Sequence, residues 1–130
     1  MPAAPDDERW VPTIVVLAAE HGGAFLWDHS PGRPVSSYAV DPAQLGVSPG
    51  LVDRLTAWNA AMERHASRWN WNPPPAELAA DDRREWAEWT RQGLHLAYDL
   101  QHELDALGSG ISVRYREDGE DRDVADRRGP

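Results

Sequence analysis

Between Asp82 and Leu107 the residues Trp86, Trp89, Gly93, Leu96, Ala97, Leu100, Leu104 and Leu107 recur at three- and four-residue steps. That period lines up one face of an α-helix. At about 100° per residue they fall within roughly 100° of arc, and Glu88, Arg91, His95, Asp99 and His102 fall opposite. Gly108 follows at the position where a left-handed cap residue is favoured, so the spacing predicts one unbroken helix over 82–107, about 39 Å long. Its tryptophan-leucine side requires a partner. Leu51, Leu55, Trp58, Met62 and Trp69 supply one at the same period, predicting a helix over 49–68. Ser48-Pro49 opens it with an N-cap serine before a proline at the first helical position, and Val47 and Val52 bracket the cap as a hydrophobic staple does.

Elsewhere the period shortens to that of strands. Trp10 to Ala19, WVPTIVVLAA, is a β-branched apolar run of strand length and is expected as the central strand, with Pro12 limiting its start. Glu20-His21-Gly22-Gly23 makes a turn, and Ala24 to His29 returns as the second strand of a hairpin. Ser30 to Tyr38 reads as a loop, and Asp41-Pro42 opens a short turn that Gly46 closes. Pro73, Pro74 and Pro75 forbid a helix and impose extended backbone between the two helical segments. Ile111, Val113 and Tyr115 alternate with Ser112, Arg114 and Arg116, marking a half-buried third strand. Residues 1–9 and 117–130 are charged with little to bury and are expected as flexible tails around a single domain over 10–116. The order β-β-α-α-β implies an α+β fold: a small three-stranded sheet with two helices packed on one face. The third strand is expected to pair with the first, in parallel. The other sheet face is left to water or a partner.

Charge narrows the choice of partner. Twenty-two acidic residues oppose thirteen basic ones, every one an arginine, for a net charge of −9. Such a surface repels phosphate backbones, so the expectation is a basic protein partner and no nucleic acid. Without lysine or cysteine, Schiff-base chemistry, a P-loop lysine, thiol nucleophiles and disulfides are excluded. The first residues hold neither a basic region nor an apolar run, and no stretch has the length of a membrane span; a cytoplasmic protein without membrane contact is expected.

Three groupings carry candidate chemistry. His95, Asp99 and His102 share one helical surface and are metal-ligand types, but that surface lies opposite the apolar stripe, so it reads as a solvated face without metal or cofactor. Asp28 and His29 end the second strand and His21 lies in the hairpin turn, a set that acid/base chemistry could use if the fold gathers it. No GxSxG, HExxH, GxGxxG or Walker pattern is present, and no catalytic residue is assigned. Seven tryptophans are the compositional oddity. Trp58, Trp86 and Trp89 fall on buried stripes, whereas Trp69 and Trp71 alternate with Asn70 and Asn72 beside the prolines. Flat apolar rings among amides suit protein contact or sugar stacking, and a lid packed over the core is the alternative. The candidate binding residues are Trp27, Asp28, Trp69, Asn70, Trp71 and Asn72.

At LWD (26–28), DPAQLGVSPGLVDRLTAW (41–58), NWNPP (70–74) and WTRQGLHLAYDLQHELDA (89–106) the chain resembles a group of small uncharacterised bacterial proteins. They pair a tryptophan-aspartate strand end with a capped helix, an Asn-Trp loop and a final helix of the GxxLAxxLxxEL kind. Acidic residues follow the Asn-Trp pair in that pattern, where this chain has Asn72 and Pro73. The resemblance spans residues 14–115; it implies a fold and supplies no catalytic residues.

The leading functional expectation is a non-catalytic binding protein of the immunity or antitoxin kind, neutralising a basic protein through complementary charge and aromatic anchors. A small-molecule binder or metal-dependent enzyme using Asp28, His29 and the Asn-Trp loop is the second reading. A self-associating structural module that builds a homodimer is the third.

Overall fold

The apolar run at the start of the chain forms β1 (Ile14–Leu17), where Val15, Val16 and Leu17 are fully buried. The computed structural model describes residues 10–20, 22–34, 38–70 and 72–127. A strand apolar on both faces belongs in the middle of a sheet. β2 (Leu26–Asp28) pairs antiparallel with it, and β3 (Ser112–Glu117) pairs parallel with it on the other side. Val15, Leu17, Leu26, Val113 and Tyr115 share the inner face by register and join the core.

The sheet has four strands, not the three expected. β4 (Glu120–Asp123) pairs antiparallel with β3, giving the order β2-β1-β3-β4. It lies in the segment expected as a charged tail. Asp118 and Gly119 turn the chain with positive φ of 54° and 78°, and Val124, buried beyond β4, adds an apolar side chain to the core. Arg116 crosses to Asp121 through Nε at 2.7 Å and a terminal nitrogen at 3.1 Å. The hydrogen bond from Arg116 holds the Asp121 carboxyl below its usual range, and Asp121 raises the guanidinium in turn. At the opposite edge, residues 38–40 run along β2: the Asp28 amide donates to the Tyr38 carbonyl and the Val40 amide to that of Leu26.

The helices follow their caps. α1 (Pro49–Ser67) begins where Ser48 Oγ accepts from the Leu51 amide, and the Glu103 carboxylate accepts from both the amide and the hydroxyl of Ser48. α2 (Ala79–Ala106) is unbroken over 28 residues and starts three residues before the expected Asp82, after a single 3-10 turn at Ala76–Leu78. Its end is a Schellman closure, with Ser109 N–H donating to the Leu104 carbonyl and Gly108 N–H, at φ 67°, to that of Asp105. Leu107 was expected on the buried stripe but is 54% exposed, because the stripe stops at Leu104 and the chain turns away.

Leu51, Leu55, Trp58, Leu96, Ala97, Leu100 and Leu104 pack onto the inner sheet face. Two side-chain amides stitch the layers at their ends. Asn59 donates to the Glu20 carbonyl and accepts from the Glu20 amide; Gln101 donates to the Ile111 carbonyl and accepts from the Val113 amide. Each supplies the donor and acceptor that the strand end lacks. Among the described residues no helix is long and apolar enough to cross a membrane.

Candidate functional site

The seam between the helices is built from tryptophan. Trp58 of α1 and Trp89 of α2 stack with centroids 4.5 Å apart and planes within 4°. Each indole donates to the other residue's carbonyl, Trp58 Nε1 to Trp89 O at 3.0 Å and Trp89 Nε1 to Trp58 O at 2.8 Å. The clasp is reciprocal, so neither polar edge is stranded. Gly93 makes room for it, since a Cβ there would lie 2.6 Å from the Trp58 ring and 2.3 Å from the Tyr115 hydroxyl. Trp86 meets Trp89 edge-on at 5.4 Å, and His65 meets Trp86 at 4.3 Å.

Above this seam lies a trough. One stretch of about 640 Å³ is lined by Arg54, Ala57, Trp58, Glu88, His95 and Asp99 among others, and a second of about 330 Å³ continues it past Arg64, Arg68 and Glu85. Exposed ion pairs cross it, Arg54 to Asp99 at 3.0 Å and Arg68 to Glu85 at 3.1 Å. Arg68 holds the Glu85 carboxyl below its usual range. His65 lies beneath this end with Nε2 2.6 Å from Asp82 and Nδ1 3.0 Å from Glu85. His95 and Asp99 therefore line the trough, and His102 is exposed on the same helix. Among the described residues no group of three or more His, Asp or Glu side chains could hold a metal ion.

The remaining candidates fall in two separate places. Asp28 is buried on the inner side, accepting from Trp10 Nε1 at 2.6 Å and the Ser30 amide at 2.8 Å, and it borders a cavity of about 680 Å³ with Trp10, Asp41 and Gln44. His29 comes next in an extended chain and so turns to the other face, where it lies 3.9 Å from Asp121 and stacks on Tyr38. Asp28 and His29 are thus not gathered into one acid/base pair. His21 lies outside the described residues. Trp27 is half-buried on the outer sheet face, donating to the Ala18 carbonyl with its ring 5.0 Å from Tyr38. At the far end of α1, Trp69 is half-buried with Nε1 unpaired, Asn70 takes a left-handed φ of 52°, and Asn72 is exposed. Trp69 and Asn72 border a hollow of about 320 Å³ with Pro73, Pro74 and Trp86; Trp71 lies outside the described residues. Asp28 faces Val15 near the start of β1, whereas the hairpin turn bonds to Asn59 and Glu63 on the α1 half that leads to Trp69. The hairpin's length separates the two groups.

The sequence profile of the Serratia CdiI immunity protein-like family matches residues 13–118, a span that holds β1 to β3 and both helices. The chain belongs to this family. No curated protein and no solved structure matches it. Membership makes it an immunity-type protein. Several polar positions were passed over by spacing alone. His65, Asn59, Gln101, Arg54 and Arg68 are polar positions on helices, which read as solvated until the partner element is known. A signal that could have found them is the set Arg54, Arg64 and Arg68 on α1 and its cap, facing Glu85, Glu88 and Asp99 of α2.

Proposed function

We propose that this chain is a non-catalytic immunity protein that binds and neutralises a basic toxin protein in the cytoplasm. The family match over residues 13–118 carries the reading. The charge supports a basic partner: the chain carries −9 overall, and α2 alone bears seven acidic residues against three arginines. Opposite net charges steer encounter and speed association, which suits a protein that must capture a toxin before it acts.

Self-association through the sheet is the weaker reading. One edge is covered by residues 38–40, and the other, β4, reads Glu-Asp-Arg-Asp, a charged strand of the kind that discourages edge-to-edge pairing. The test is co-expression. Cells producing a toxin domain found in a neighbouring reading frame should stop growing, and should grow again when the chain is supplied, with a stoichiometric complex on gel filtration. Continued arrest with both proteins present and no complex would sink the proposal.

A further inference from the structure

The trough between the helices has walls of opposite sign. α1 lines it with Arg54, Arg64 and Arg68, and α2 lines it with Glu85, Glu88 and Asp99, Arg91 standing among them. The two stretches share Ala61, Glu88 and Gln92, so they form one channel. From Arg54 to Arg68 it runs about 21 Å at the helical rise. Its floor is Trp58, Ala57, Ala61 and Leu96. The ion pairs that cross it are about half exposed on both partners, so they contribute little and exchange readily.

We propose that this trough receives an amphipathic α-helix of about four turns from the toxin. Its apolar ridge lies over Ala57 and Ala61, its acidic flank meets the α1 arginines, and its basic flank meets the α2 carboxylates. This rests on the immunity reading above. An extended segment fits less well, because the walls are helices whose backbone groups are already bonded and offer no ladder, whereas a docking helix satisfies its own amides. Alanines four residues apart let a third helix approach closely. The lining charges nearly cancel, so the trough reads a pattern and not a net charge. Reversing the helix end for end would swap its flanks and set like charges together, which fixes its direction. A second copy of this chain laid two-fold on the trough would put hollow on hollow. None of the exposed large apolar residues among those described, Val11, Tyr38, Leu78 and Leu107, lies in it to act as a knob.

The test titrates a toxin domain that this chain neutralises in the co-expression assay into the full chain by calorimetry. Ala57→Arg fills the floor from an exposed helical position. The double variant Arg54→Glu/Asp99→Arg keeps an ion pair but reverses the sign of the walls at one end of the channel. Each should weaken binding by roughly a hundredfold with an unchanged unfolding midpoint. Arg122→Ala, on β4 away from the trough, should bind as the parent does. Groove variants that bind like the parent overturn the trough and leave neutralisation standing. A parent chain that does not bind the toxin overturns both. A dimer of the chain that Ala57→Arg dissolves would assign the trough to self-association and overturn the proposal.

Discussion

Gly93 is the residue on which the helix seam turns. At an ordinary helix interior, glycine to alanine stabilises by about 0.8–1.0 kcal/mol. Here the added methyl would run into Trp58 and the Tyr115 hydroxyl, so Gly93→Ala should instead destabilise by about 1–3 kcal/mol in urea unfolding. A stabilised variant would mean that the indole clasp is looser than described. Ser48 and Glu103 give a second residue-scale expectation. The Ser48 amide, and after it the hydroxyl, holds the Glu103 carboxyl below its usual range. A carboxyl depressed in the folded state adds stability that is complete above its unfolded pKa, about 4.3, and is lost as pH falls through the folded value. Glu103→Gln should therefore flatten the acid limb of the stability curve, and Ser48→Ala should cost about 1 kcal/mol as well through the lost cap. At this scale the sequence was half legible. Trp58 announced itself by helical spacing; Trp89 packs half-buried against the core, and Trp86, expected on the buried stripe, is half-buried outside the core cluster. Asn59, Gln101 and His65 did not, because their roles depend on strand ends and carboxylates that no local pattern brings near.

Both helices were legible as elements to within a few residues, since capping and period agree on them. The pairing of the first and third strands also followed from pattern, as the most apolar strand takes the middle, and its parallel sense from a helical hairpin that returns the chain to the end where the first strand began. β4 did not follow. An Asp-Gly turn signal stands at 118–119, yet Glu-Asp-Arg-Asp has no apolar alternation, and the strand holds by backbone pairing, the Arg116–Asp121 bridge and Val124. Val124→Ala should accordingly cost about 2 kcal/mol, a sizeable penalty for a segment that reads as a tail. Unchanged stability would detach β4 from the core. The amide stitches carry a matching expectation. Asn59→Leu leaves the Glu20 amide and carbonyl without their partner, so hydrogen exchange at Glu20 should accelerate together with a loss of roughly 1–3 kcal/mol.

For the whole molecule, the layer order and the acidic balance were readable in advance, whereas the trough between the helices was not. The second reading joined Asp28 and His29 with the Asn-Trp loop; among the described residues Asp28 faces Val15 near the start of β1, whereas Trp69 and Asn72 stand at the far end of α1. The trough emerges only when two helices, each amphipathic by itself, are set side by side with arginines on one and carboxylates on the other. The most direct test of the central claim is a titration of a candidate basic toxin domain into this chain across a series of salt concentrations. The expected result is a one-to-one complex whose association rate falls as salt screens the opposed charges. Absence of binding at low salt, or an association rate indifferent to salt, would contradict an acidic immunity protein that captures a basic toxin.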